Sequence, residues 1–166
     1  HGYRCFKLKL TGRDIQSDVL RTIETFQAVR TAGISNPQIT LDSNEGNPTA
    51  ESVMDYLQQL QASDAAAFSS VQYLEQPTSR DIRRNPQNWH AVARLKPVLL
   101  DEGLTDLDSL IEAKQQGYSG VALKTCKGHS MLLFCAAWAH QHQMRISLQD
   151  LTNPGIALIH AALAGS

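Results

Sequence analysis

The chain has 166 residues, 42% of them hydrophobic, and a formal net charge of −1, values that fit one globular domain and exclude a disordered or fibrous chain. With 15 basic residues against 16 acidic ones and no basic stripe, it lacks the electrostatic footprint of a nucleic-acid binder. No apolar run approaches the ~18 residues of a membrane-spanning helix, so no such span is expected. Cys5, Cys126 and Cys135 are odd in number and lack the CxxC spacing of zinc or redox motifs. They read as buried thiols in a reducing compartment, which places the protein in the cytoplasm.

The first β-like run, residues 3–10, sets Phe6, Leu8 and Leu10 on one face and Lys7 and Lys9 on the other. Ile15, Val19, Ile23, Phe26 and Val29 then recur at helical spacing behind Asp14 as N-cap. A second strand over residues 38–42 ends in Asp42, and Thr49 opens a helix to residue 60. The strand at 71–75 ends in Glu75, and Asp81 opens a helical stretch to residue 95 that Pro86 must delay or kink. Residues 98–101 form a strand ending in Asp101, followed by a helix at 107–116 capped by Thr105 or Asp106 and stopped at Gly117. The strand at 120–124 ends in Lys124, an apolar helix covers 130–143, and a sixth strand runs over 145–149. Asn153-Pro154 is an N-cap followed by proline, opening a last helix at 155–163.

Six strand-helix units in strict alternation give an α/β fold with parallel strands. Their strand ends carry a ladder of ionisable groups: Lys9, Asp42, Glu75, Asp101 and Lys124, at intervals of 33, 33, 26 and 23 residues. Charged groups at the same end of consecutive parallel strands converge if the sheet curls into a (β/α)-barrel, whereas an open sheet spreads them along a line. Convergence at five consecutive ends favours the barrel. A closed barrel needs eight strands and typically ~250 residues, so six units make a partial one.

Three carboxylates brought together repel unless a cation lies between them, and oxygen-only ligands suit Mg²⁺. No Cys or His stands at the matching positions, which counts against zinc. Taken singly, each acid could simply cap the helix that follows it. Lys7 and Lys9 share a strand face, and an ammonium beside another ammonium and a dication should have its pKa lowered toward the range of a general base. Lysines on an exposed strand face are the plainer account of that pair. Asn44, on the face of Asp42, could orient the acid or donate to substrate; Glu102 points away from Asp101 and acts indirectly if at all. Asp150, ending the sixth strand, could touch substrate or open the next helix. His140 and His142 share no helix face, and the loop Lys127-Gly128-His129-Ser130 leads into a helix N-terminus that could take an anion.

At these positions the chain resembles the enolase superfamily, in its mandelate racemase/muconate lactonising branch. The matching motifs are Lys7-x-Lys9, Asp42-x-Asn44, Glu75 within Tyr73-Leu74-Glu75-Gln76-Pro77, Asp101-Glu102, and Lys124 on the next strand. The resemblance implies a modified barrel with Mg²⁺ held by Asp42, Glu75 and Asp101. It also implies Lys9 and Lys124 as an acid/base pair on opposite faces of a small carboxylate substrate, with Lys7 lowering the pKa of Lys9. The chemistry would be removal of the proton α to the carboxylate through an enolate. Lysine at residue 124, in place of a His-Asp dyad, favours the two-lysine subgroup over mandelate racemase itself. A racemase or epimerase is the first expectation and a cycloisomerase or dehydratase the second; a non-catalytic relic or interaction module is the third. In family terms the chain covers strands two to seven, so the capping domain and the first and eighth strands are expected elsewhere, and these residues alone are expected to be inactive. Homo-oligomers are common in such proteins.

Overall fold

The structure is a computed structural model that describes residues 2–149 together with Ile159, Ala162 and Leu163. Its six strands are β1 (Cys5–Lys9), β2 (Gln38–Asp42), β3 (Val71–Glu75), β4 (Val98–Leu100), β5 (Gly120–Lys124) and β6 (Arg145–Gln149). All neighbours are parallel and the spatial order is the sequence order. Crossovers that each advance one strand in one sense make the sheet curl, and the result is a half-barrel with helices outside it. Asp150 and the expected helix at 155–163 lie outside the described residues, apart from Ile159, Ala162 and Leu163.

Local chemistry sets the helix starts. Helix α1 (Ile15–Thr31) begins where the Asp14 carboxylate accepts the Ser17 amide. Helix α2 (Ala50–Ser63) opens with a Thr49/Ser52 capping box, and it buries Val53, Tyr56, Leu57 and Leu60, an i, i+3, i+4, i+7 stripe. A short helix that the sequence pattern did not reveal, α3 (Ala65–Ser70), follows at once because Asp64 ends α2 and caps the next turn through the Ala66 and Ala67 amides.

The stretch expected to be helical from residue 81 becomes so only at α4 (His90–Leu95). Asp81 holds a single turn through the Arg84 and Asn85 amides. Pro86 then drives Asn85 out of the helical region and lacks the amide that would continue it. Helix α5 (Leu107–Gln115) carries an Asp106/Ser109 capping box and ends before Gly117, whose φ of 91° only glycine takes without strain. A 3₁₀ turn, Thr125–Lys127, separates β5 from α6 (His129–Gln141), which starts and stops slightly before the expected bounds.

Ile39, Leu41, Leu57, Leu60, Trp89, Leu100 and Leu110 are fully buried between strands and helices. At the C-terminal ends of β1 and β2 the following loops meet backbone to backbone. A Cβ on Gly46 would stand 2.1 Å from the Thr11 carbonyl oxygen, and one on Gly12 would stand 2.5 Å from the Asn47 nitrogen. Two glycines therefore bring the Lys9 and Asn44 segments together. Of the cysteines, only Cys135 is the buried thiol expected; Cys5 and Cys126 are exposed because they lie on the outer strand β1 and in the 3₁₀ turn. Among the described residues no helix is long and apolar enough to cross a membrane.

Candidate active site

Register explains how residues far apart in sequence meet. Lys9 pairs with Asp42 and Asp42 with Glu75, so the first three strand ends are level. Glu75 pairs with Leu99, two residues before Asp101, and Leu100 pairs with Val121, three before Lys124. This progressive stagger is the tilt that curls a sheet, and the even offset keeps Asp101 on the side of Glu75.

Lys7 Nζ lies 2.8 Å from both Asp42 Oδ2 and Glu75 Oε1, bridging the first two acids. Lys9 Nζ donates to Asp42 Oδ2 and, over 2.6 Å, to Asn44 Oδ1. Asn44 Nδ2 in turn donates to Glu102 Oε1 at 3.1 Å, linking the loops after β2 and β4. Lys124 Nζ donates to Asp101 Oδ2 at 2.6 Å. The Glu75 and Asp101 carboxyl groups adjoin closely enough for each to shift the other. Asp42, Glu75 and Asp101 are 2%, 1% and 2% exposed, so the ladder is a buried row of acids capped by ammonium groups.

Burial and charge pull these groups in different directions. Burial raises the pKa of Asp42, but hydrogen bonds from Lys7, Lys9 and the Asn44 amide outweigh it and hold the carboxyl below its ordinary value. Glu75 is pushed up, first by burial and then by the adjoining Asp101. Asp101 ends below its ordinary value despite burial, because Lys124 donates to it, Glu75 adjoins it, and the charges of Lys124 and Lys127 act in the same sense. The pKa of Lys7 is pulled both ways. Burial acts to lower it, but the bonds and charges of Asp42 and Glu75 prevail and raise it.

Three residues that the sequence did not place in the site reach it. Lys127 Nζ donates to the Asp101 carbonyl oxygen at 2.5 Å and lies 3.5 Å from Asp101 Oδ1. It sits three residues after Lys124, and in a 3₁₀ turn such residues eclipse, so this spacing was the available signal. Burial lowers its pKa, and the charge of Asp101 offsets only part of that. Gln149 Nε2 donates to Glu75 Oε2 at 2.6 Å from the end of β6, where it pairs with Lys124. Gln76 binds the backbone around Asp101. Farther out, Arg80 and Glu45 pair at 2.7 Å across the loops after β3 and β2. His142 stacks on Trp138 on α6, outside this group.

Among the described residues no three His, Cys, Asp or Glu side chains form a ready-made metal cage; the Lys7 ammonium stands between Asp42 and Glu75. The donor set nevertheless fits a hard dication. It is all oxygen, it is buried, and its Glu75–Asp101 pair needs either a proton or a cation to relieve like charge.

A family model described as "Enolase C-terminal domain-like" matches residues 1–166. No curated protein sequence matches the chain significantly. Among solved structures, muconate lactonizing enzyme from Pseudomonas putida is 18% identical with a TM-score of 0.77, over 98% of this chain and 43% of that one. A mandelate racemase/muconate lactonizing protein from Herpetosiphon aurantiacus is 20% identical with a TM-score of 0.79, over 97% and 43%. The L-Ala-D/L-Glu epimerase from Bacillus subtilis, as a substrate-liganded complex, is 19% identical with a TM-score of 0.79, over 98% and 44%. The chain thus spans less than half the length of these relatives, and at such identities the likeness speaks for the fold. Since the family model is matched from the first residue to the last on the half-barrel described above, the chain belongs to the enolase C-terminal domain-like family, within the mandelate racemase/muconate lactonising-like part of the enolase superfamily.

Proposed function

We propose that this chain carries the reaction centre of an isomerase that removes the proton α to the carboxylate of a small substrate, with Mg²⁺, and of racemase or epimerase type. The observation that carries the reading is the symmetry of the row: Lys9 and Lys124 each touch a different outer acid, Asp42 or Asp101, with Glu75 between them. Two ammonium groups at opposite ends of one acidic row can address opposite faces of a substrate lying across it.

Asp42, Glu75 and Asp101 would hold the dication, which supplies positive charge to stabilise the developing enolate oxygens. Lys9 in its neutral form takes the α-proton from one face, and Lys124 in its ammonium form returns a proton to the other; the reverse direction exchanges their roles. Lys7 keeps Asp42 and Glu75 in place and adds positive charge beside the substrate carboxylate. Asn44 and Glu102 fix the Lys9 ammonium from the mouth side. A base on one face with a leaving group or ring closure on the other gives a cycloisomerase or dehydratase, the second reading, which the likeness to a muconate lactonizing enzyme supports.

The test is α-proton exchange in D₂O with Mg²⁺, followed by NMR, using the protein that carries this chain. Dipeptides and unsaturated dicarboxylates are the first candidates, following the relatives' substrates. With an active substrate, Lys9→Ala and Lys124→Ala should each slow exchange by ~10²–10⁴-fold for one stereoisomer only, while Mg²⁺ binding persists. Exchange at the parental rate in both variants overturns the assignment.

A further inference from the structure

Gln76 follows Glu75 in the chain and touches no candidate substrate position, yet it is completely buried. Its side chain makes four hydrogen bonds, all to backbone. Oε1 accepts the Asp101 amide at 3.0 Å and the Gly103 amide at 2.9 Å. Nε2 donates to the carbonyl oxygens of Thr78 at 3.1 Å and Ser79 at 3.4 Å. Its own amide donates to the Leu99 carbonyl, and its carbonyl accepts the Glu45 amide, both at 2.9 Å.

One residue therefore ties together the loops after β2, β3 and β4, which begin at or just beyond Asp42, Glu75 and Asp101. Its φ of 35° is one that side-chain-bearing residues rarely adopt, and such a conformation persists only where the surroundings fix it. The fit is close on the far side as well: a Cβ on Gly103 would stand 3.3 Å from Gln76 Oε1 and 2.9 Å from the Arg80 carbonyl oxygen.

Only an amide side chain serves both halves of this junction. A carboxylate would set an acceptor against two carbonyl oxygens, and an apolar chain would orphan two buried amides. We infer that Gln76 is a positioning residue that fixes Asp101 relative to Glu75, and thereby sets the affinity of the acidic row for its divalent ion. This rests on the metal reading proposed above. Gln76 is bonded covalently to Glu75, and a single hydrogen bond from its Oε1 reaches the Asp101 amide.

Gln76→Met, close in size and without the amide, is compared with Gln116→Met. Gln116 is also a buried amide that binds backbone, accepting the Gln87 amide at 3.1 Å and donating to the Ile82 carbonyl at 2.9 Å; it donates to Glu112 as well but contacts none of Asp42, Glu75 and Asp101. Three readouts are taken on the protein carrying this chain: Mg²⁺ affinity by calorimetry, amide hydrogen exchange at Asp101 and Gly103, and thermal stability. The expected result is that Gln76→Met weakens Mg²⁺ at least tenfold and speeds exchange at both amides at least tenfold. Gln116→Met should change neither by more than twofold, even where it lowers the melting temperature as much.

Unchanged exchange at Asp101 and Gly103 in Gln76→Met overturns the positioning role. Faster exchange with parental Mg²⁺ affinity overturns its link to the metal. A parent that binds no Mg²⁺ overturns the metal reading instead, and the exchange data then decide the positioning alone. If Gln76→Met does not fold, Gln76→Glu retains an acceptor for the two amides. It nonetheless sets a carboxylate oxygen against the Thr78 and Ser79 carbonyls, so exchange at both amides should quicken and Mg²⁺ should bind more weakly; parental values of both overturn the inference.

Discussion

Lys7 illustrates how one side chain changes meaning once its neighbours are known. Beside Lys9 in sequence it reads as one of two repelling ammonium groups; in the fold it stands between Asp42 and Glu75, whose charges hold its proton more firmly. The acids respond to the same geometry in opposite senses, which gives a test at the residue scale. Asp42 and Asp101 have pKa values below 3.8, so in a Mg²⁺-free, chelator-treated protein their stabilising contribution is complete above about that pH and is lost as pH falls through their folded values. Glu75 is raised above 4.5, so its contribution is present below that pH and is lost as pH rises through its folded value. The melting temperature should therefore climb as Asp42 and Asp101 ionise and then decline as Glu75 does. Glu75→Gln, which cannot ionise, should remove the decline and be more stable than the parent near pH 7. Equal melting temperatures there would mean that Glu75 bears no such strain.

Elements show where the pattern in the sequence was sufficient and where it was not. Helix α2 was legible from Thr49 to residue 60, and in the fold its stripe of Val53, Tyr56, Leu57 and Leu60 leaves water because a helix repeats every 3.6 residues. Leu57 is fully buried, and Leu57→Ala should cost about 2–5 kcal/mol in urea unfolding. A loss below about 1 kcal/mol would show that the surroundings collapse around the gap. Helix α3 was hidden because Asp64 serves two helices at once, and a run of small residues after it carries no periodic signal. Asp64→Ala should cost about 1 kcal/mol, and Asp64→Asn, which keeps an accepting oxygen, should recover most of it. If Asn is no better than Ala, the cap is not the source of the effect.

The whole molecule is a curled sheet whose outer strands β1 and β6 each pair on one side only among the described residues. Ile146 and Leu148 on β6 are 43% and 36% exposed, and Leu133 and Phe134 on α6 are 67% exposed each. Unpaired edges and apolar patches of this kind associate. The 166 residues expressed alone should therefore show concentration-dependent sedimentation, whereas a monodisperse monomer across a hundredfold concentration range would contradict that. At the same scale, Mg²⁺ held as proposed by Asp42, Glu75 and Asp101 would link β2, β3 and the loop after β4. Saturation at 100 times its dissociation constant should add about 2.7 kcal/mol to stability, reversed by chelator. Asp101→Asn should abolish most of the gain; an equal gain in that variant would place the ion elsewhere.

By itself the sequence determined the alternation of strands and helices, the parallel class and the identity of the ladder from Lys9 to Lys124, because periodicity and strand-end position are properties of neighbouring residues. Asp42, Glu75, Asp101 and both terminal lysines could be named on that ground. Tertiary structure alone decided that Lys7 bridges two acids, that burial pushes the Glu75 carboxyl up while Asp101 is held down, and that Lys127, Gln149 and Gln76 belong to the same region. The reason is physical: hydrogen-bond partners 25 to 74 residues apart are chosen by strand register and by the stagger of the curled sheet. Neither is written in the local order of side chains.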